Sequence, residues 1–134
     1  MENYIMGLAH ICIVSKDLIR SKEFYCGILG FEVEHENTLH YDAGDISLCF
    51  IKNGGLTLEL AKFEFAFDDR QTGHHDHIGF AVKDIDRVAS KLKEAGVVFE
   101  TEQPADMPQL FDNGCRGIAF AGPDGERLEL SETL

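Results

Sequence analysis

The stretch DHIGFAVKDID, residues 76–86, repeats an earlier one, AHICIVSKDLI, residues 9–19. Each opens an alternating apolar run with a histidine and closes on Lys-Asp followed by an apolar residue. His10 matches His77, Ile11 matches Ile78, Ile13 matches Phe80, Lys16 matches Lys83 and Asp17 matches Asp84, all at an offset of 67. A second match, GLTLEL (55–60) with GERLEL (125–130), aligns Gly55, Leu58, Glu59 and Leu60 with Gly125, Leu128, Glu129 and Leu130 at an offset of 70. Two short matches at nearly one offset imply a duplicated module of about half the chain.

Both halves show the same order of elements. In the first, LAHICIV alternates as a strand, and DLIRSKEFYCGIL reads as a helix with Asp17 as N-cap and Gly30 as stop. FEVEHE, DISLCFI and LTLELA follow as strands. In the second, HIGFAV is a strand, and Asp84 opens a helix whose apolar positions Ile85, Val88, Ala89 and Leu92 fall on one face, with Gly96 as its stop. VVFET, CRGIAFA and RLELS complete it as strands, the last introduced by the turn GPDGE. Each half is a βαβββ unit, which makes the fold α+β.

Composition bounds the rest. A chain of 134 residues is one domain's worth and buries an adequate core without cross-links. Its hydrophobic fraction of 44% and charged fraction of 27% are those of a globular protein. No apolar run reaches the roughly 20 residues of a membrane span, and MENYIMG has neither the basic start nor the apolar stretch of a signal peptide. Cys12, Cys26, Cys49 and Cys115 are scattered, as expected of reduced thiols in a cytoplasm. The net charge of −12 argues against nucleic acid or an anionic membrane as partner, because phosphate binding needs a basic surface.

Strand alternation sorts the side chains into faces. Ile11 and Ile13 share one face, with His10, Cys12 and Val14 opposite; Leu56, Leu58 and Leu60 share one face, with Thr57 and Glu59 opposite. Likewise Ile78, Phe80 and Val82 oppose His77, Gly79 and Ala81, and Leu128 and Leu130 oppose Arg127, Glu129 and Ser131. The aliphatic faces are expected to bury against the helices. Taken singly, a Glu in LEL is ordinarily solvated and a strand His is ordinarily hydrogen-bonded. Taken together, one His and one Glu at matching places in both halves form a candidate metal site of His10, Glu59, His77 and Glu129. Imidazole nitrogen and carboxylate oxygen suit divalent first-row metals.

At these residues the sequence resembles the vicinal oxygen chelate superfamily, and within it bacterial glyoxalase I. The resemblance covers nearly the whole chain and rests on HICIV with FYCGILGFEV, LTLEL, DHIGFAVKDID and FAGPDGERLEL. It implies the glyoxalase/bleomycin resistance/dioxygenase fold, two βαβββ modules forming curled mixed sheets in a single domain over residues 5–132. Module one would span residues 5–62, the linker 63–74 and module two 75–132. In that fold the first and fourth strands of each module are neighbours, which would put His10 beside Glu59 and His77 beside Glu129. The His, Glu, His, Glu pattern of the glyoxalases matches all four positions. Extradiol dioxygenases and fosfomycin-modifying enzymes use His, His, Glu instead, and bleomycin-binding members lack the ligands.

The resemblance further implies a lyase or isomerase that holds a divalent ion (Ni, Co, Zn or Mn) and turns a 2-oxoaldehyde hemithioacetal into a 2-hydroxyacyl thioester through an enediolate. Glu129 would be the base, with Glu59 as second candidate. Methylmalonyl-CoA epimerases share a very similar ligand set, so an acyl-CoA substrate is an alternative, as is a non-catalytic small-molecule binding protein of the same scaffold. Family members pair as dimers, so a homodimer is expected. Where bacterial glyoxalases place an Arg and an Asn linked to glutathione, this chain has Val14 and Phe63, which argues against glutathione as cosubstrate.

Two less regular segments remain. KFEFAFDD, with Phe63, Phe65 and Phe67, reads as a lid, an arm or linker packing. EQPADMPQLFDNG, with Met107, Leu110 and Phe111, reads as a lid or a loop anchored on the core. His74 and His75 read as a polar turn, since strand register gives the ligand role to His77. Cys12 shares the face of His10 and reads as a neighbour of the metal or a small core residue. His35 and His40 belong to no constellation.

Overall fold

A computed structural model of the protein describes residues 10–65, 77–108 and 110–134. His74, His75 and Phe67 lie outside the described residues. The chain divides into two units, Met1–Asp68 and Asp69–Leu134.

The first unit runs β1 (Ile11–Val14), α1 (Leu18–Lys22), a π-helical segment (Glu23–Ile28), β2 (Glu32–Tyr41), β3 (Gly44–Asn53) and β4 (Leu56–Phe63). Its four-stranded sheet has the order β1-β4-β3-β2, with β1 and β4 parallel and the other pairs antiparallel. The second unit runs β5 (Ile78–Ala81), α2 (Ile85–Glu94), β6 (Ala105–Met107), β7 (Cys115–Ala121) and β8 (Arg127–Thr133), with the order β5-β8-β7-β6. The duplication read from the sequence is therefore a duplication of topology. Registers agree as well: Ile11, Cys12 and Ile13 face Leu58, Glu59 and Leu60, while Ile78, Gly79 and Phe80 face Leu128, Glu129 and Leu130.

The aliphatic faces are the cores. Leu58, Leu60, Ile51 and Cys49 are fully covered in the first unit, with Ile13 nearly so. Leu128, Phe120 and Ile85 are fully covered in the second, beside Ile118 and Leu130. Each such side chain stabilises the fold by about 1.5–3 kcal/mol through area removed from water. Tyr25, also fully covered, stands edge-on to Phe24 at 5.1 Å and to Phe31 at 5.8 Å.

The helix ends follow local chemistry. The Asp17 carboxylate accepts from the backbone N–H groups of Ile19 at 3.0 Å and Arg20 at 3.2 Å. The expected helix then loosens into π geometry: Leu29 N–H donates to the Phe24 carbonyl at 3.2 Å, and Phe31 N–H to Tyr25 at 3.0 Å, around Gly30 at φ +79°. At the end of α2, Gly96 at φ +96° allows Val97 N–H to reach the Leu92 carbonyl and its own N–H to reach Lys93, a Schellman stop. At its start Asp84 sits in the left-handed region at φ 61°, and the Glu132 carboxylate of β8 accepts from the N–H groups of Asp84 at 2.7 Å and Ile85 at 3.2 Å.

One expected strand is displaced. VVFET (97–101) makes a single bridge, Phe99 to Phe120, and Val98 is 83% exposed. The edge strand on β7 is instead β6, paired Ala105–Gly117 to Met107–Cys115. Glu100 N–H still donates to the Ala119 carbonyl of β7 at 2.8 Å; relative to the Phe99 bridge the pairing then resumes with three extra residues, so Thr101–Pro104 loops out of the ladder. A turn in which the Thr101 hydroxyl donates to the Gln103 carbonyl at 3.0 Å, followed by Pro104, holds that bulge.

Candidate metal centre

Glu59 stands in the middle of the first sheet's open face. Its register partners are Cys12 on β1 and Phe50 on β3, and Phe50 in turn faces His35 on β2. A row Cys12, Glu59, Phe50, His35 thus crosses all four strands. His10, two residues before Cys12 and on the same face, brings Nε2 to 3.9 Å from Glu59 Oε1. Its ring stands edge-on to Phe50 at 5.6 Å, and the His35 ring lies 6.2 Å from Phe50. Loss of water around the Cys12 sulfur, then the neighbouring Glu59 carboxylate, push its thiol up to about 12.

Glu129 holds the matching place in the second sheet. Its register partners are Gly79 on β5 and Ala119 on β7, neither with a hydrogen-bonding side chain. A Cβ on Gly117 would lie 3.4 Å from the Glu129 carboxyl group and 3.3 Å from the terminal methyl of Met107. The carboxylate and the Met107 methyl therefore meet over Gly117, in a notch that only glycine leaves open. Met107 reaches it from β6, within a segment read as a lid or an anchored loop. His77 is exposed, just before β5 and two residues ahead of Gly79, as His10 is ahead of Cys12.

The structure thus joins His10 to Glu59 by distance and places His77 and Glu129 at equivalent positions by register. Among the described residues, within neither unit do three or more His, Cys, Asp or Glu side chains gather for a metal ion. Each unit offers one imidazole and one carboxylate, half of the donors expected. An imidazole nitrogen and a carboxylate oxygen are donors that suit a divalent first-row ion.

Other polar clusters serve the scaffold. Arg116 on β7 donates to Asp86 of α2 at 2.7 and 3.2 Å and to Asp106 of β6 at 2.9 Å, which fastens the edge strand to the helix. The hydrogen bonds from this guanidinium hold the Asp86 carboxyl below its usual range and raise Arg116 itself. In the first unit Lys22 donates to Glu36 at 2.6 Å, which lowers Glu36, while burial pushes the Cys49 thiol up to about 11. His40 pairs with Asp45 at 2.8 Å on the exposed hairpin. Among the described residues no helix is long and apolar enough to cross a membrane.

A family model described as the Glyoxalase/Bleomycin resistance protein/Dioxygenase superfamily matches residues 7–130. The chain belongs to that superfamily. Among similar members of this superfamily, a probable lactoylglutathione lyase from Synechocystis is 31% identical over 134 residues, covering 96% of either chain. The crystal structure of a glyoxalase family protein from Enterococcus faecalis is 28% identical, with a TM-score of 0.77 over 96% of this chain and 99% of that one. A point mutant of the fosfomycin resistance protein FosX from Listeria monocytogenes, solved with Mn(II) and a dihydroxypropylphosphonic acid, shares the fold at 23% identity and a TM-score of 0.65, over 94% and 91% of the chains. Against the superfamily's two-module plan, His35, Phe50, Met107 and Gly117 are the site neighbours that sequence reading left unassigned or assigned elsewhere. Phe50 alone had a signal, since alternation in DISLCFI sets it opposite Cys49 and Ile51.

Proposed function

We propose that the protein is a divalent-metal-dependent isomerase of glyoxalase I type, acting on the hemithioacetal of a 2-oxoaldehyde. The observation that carries this reading is the equivalence of two sheets, each setting a carboxylate at one register position and a histidine two residues before its partner. The reading needs His10, Glu59, His77 and Glu129 to close on one ion, within one chain or across a homodimer.

A bound divalent ion supplies Lewis acidity, which stabilises negative charge on a substrate oxygen. The residues do the proton work. Glu129 takes the hydrogen from the thiol-bearing carbon and delivers it to the neighbouring former ketone carbon, while the hydroxyl proton of the first carbon passes to the oxygen of the second. No atom is gained or lost, and the product is a 2-hydroxyacyl thioester. Glu129 suits this role because the Gly117 notch gives its carboxylate room, and neither flanking strand position ties it down. The apolar Val14 and Phe63 favour a thiol other than glutathione. The ligand set His, Glu, His, Glu and the Synechocystis relative support this reading over dioxygenase chemistry.

The test is metal analysis of the purified protein followed by turnover of methylglyoxal hemithioacetals made with several thiols, beside methylmalonyl-CoA. Glu129→Gln is expected to cut turnover by about 100-fold or more while metal is retained. Turnover of the acyl-CoA alone would move the assignment to an epimerase, whose ligand set is very similar. Absence of bound metal, with no uptake of Ni²⁺, Co²⁺ or Zn²⁺, would leave a binding protein.

A further inference from the structure

The two copies of the module are built alike around Ala61 and Ser131, each two residues beyond its glutamate. Ser15 N–H donates to the Ala61 carbonyl at 2.8 Å, and Val82 N–H donates to the Ser131 carbonyl at 2.9 Å. Alanine therefore serves the backbone at this position, and the hydroxyl of Ser131 is surplus to the fold. Alternation sets that half-buried hydroxyl on the same open face as Glu129. Its register partners are Ala81 on β5 and Gly117 on β7, too small to cover it. We infer that Ser131 is a substrate-binding residue of the second sheet, its hydroxyl donating a hydrogen bond to the substrate oxygen that gains negative charge as Glu129 removes the proton. The inference rests on the proposed function for the reaction, and on the β8 register and the Gly117 notch for the geometry.

Gly117 is where the two groups come together. The Glu129 carboxyl lies 3.4 Å from the point where a Gly117 Cβ would stand, and Ser131 is directly across the ladder from Gly117. Directly opposite positions have Cβ atoms about 4.5–5.5 Å apart. A substrate carbon about 3–3.5 Å from the carboxylate, bonded to an oxygen about 2.7–2.8 Å from the hydroxyl, bridges that interval. The hydroxyl is also able to turn. Its side-chain partner among the described residues is the Cys115 sulfur at 3.4 Å, which is itself almost fully covered. A thiol is a weak partner in either role, and a hydroxyl has one donor and two acceptor positions. A substrate oxygen that is gaining charge is the stronger acceptor. Ser131 keeps its own proton throughout; it stabilises charge and transfers nothing. Met107, which touches the same notch from β6, has no donor to offer.

Two variants test this. Ser131→Ala is expected to lower kcat for a hemithioacetal about 10- to 100-fold with KM within about twofold, because the bond strengthens only as charge develops. Ser131→Thr, which keeps the hydroxyl between two small neighbours, is expected to restore most of the loss. Acetohydroxamate, whose paired oxygens copy the charged state of the substrate, gives a readout apart from turnover. Its calorimetric affinity for the metal-loaded protein is expected to weaken by a similar factor in Ser131→Ala and to recover in Ser131→Thr. Uptake of Ni²⁺ or Zn²⁺ and the melting temperature are expected to stay at wild-type values in both variants. Wild-type kcat in Ser131→Ala overturns the inference. So does a loss of kcat shared with a lost ion or a collapsed melting temperature, which marks a scaffold role. A loss that Ser131→Thr leaves unrepaired overturns the hydroxyl as its cause. If the wild type turns over only the acyl-CoA, the same variants are compared on that substrate, where proton removal beside a carbonyl charges an oxygen in the same way. A wild type that takes up no ion and turns over nothing overturns the proposed function and this inference together, whereas an active wild type matched by Ser131→Ala overturns the inference alone.

Discussion

Replacing Gly117 by alanine separates the chemistry of Glu129 from the stability of its sheet. The added methyl would sit 3.3 Å from the Met107 methyl and 3.4 Å from the Glu129 carboxyl group. Ordinary carbon contacts are about 3.5–4.0 Å, so both neighbours must retreat by a few tenths of an ångström. Both are ends of flexible side chains, and the Gly117 backbone is not in the left-handed region, so the fold tolerates the change. Loss of unfolded-state freedom contributes about 0.4–1 kcal/mol in the opposite sense, leaving a net stability change below about 1 kcal/mol. Catalysis is less forgiving. With about 100-fold lost per ångström of misplacement, a shift of roughly 0.3–0.5 Å scales to a fall of roughly 4–10-fold in kcat. Steady-state turnover of a hemithioacetal on the metal-loaded protein reads this directly, with thermal unfolding as control. Adding Met107→Ala relieves the methyl contact but not the carboxylate one, so the double variant stays slow. Wild-type kcat in Gly117→Ala refutes the idea that this notch sets the position of Glu129, and a collapsed melting temperature refutes the claim that the neighbours yield easily.

Three further outcomes follow from the same structure. Saturating Ni²⁺ or Zn²⁺ at about 100 times its dissociation constant is expected to stabilise the protein by about 2.7 kcal/mol, seen as a raised melting temperature that a chelator reverses and that Glu59→Ala abolishes. Leu58→Ala, at a fully covered position behind Glu59, is expected to cost about 2–5 kcal/mol in urea unfolding. The Asp86 carboxyl is held low by Arg116, so its contribution is present above the unfolded carboxylate pKa of about 4 and is lost as pH falls below it; Arg116→Leu should flatten the acid limb of the urea midpoint measured against pH.

Much of this architecture was legible because duplication leaves its mark on spacing. The paired offsets of 67 and 70 predicted equal modules, and the strand order and register of the two sheets agree with them. Asp17, Gly30 and Gly96 marked helix ends because capping chemistry is local. The misses lie where local pattern yields to longer-range pairing. VVFET alternates like a strand, yet the partner edge on β7 is taken by residues beyond Pro104. His35 escaped because plain alternation from Val33 keeps the two on one face, whereas a bulge between them turns His35 to the side of Phe50. The π-helical segment carries the fully covered Tyr25 against Phe31, a tertiary contact that no helical periodicity reports. For the metal site, the donor pairs could be named from the repeat, but the neighbours that tune each glutamate depend on cross-strand register.

In both sheets the first strand made is hydrogen-bonded to the last. During synthesis β1 therefore waits without a neighbour until β4 has left the ribosome, and β5 waits in the same way for β8. Residues 11–63 complete one ladder before the second begins, so assembly proceeds in two instalments, each finished by the strand that carries its glutamate. A chain halted short of β8 would lose Glu129, the seam along β5 and the carboxylate seated on the first turn of α2 at a single stroke.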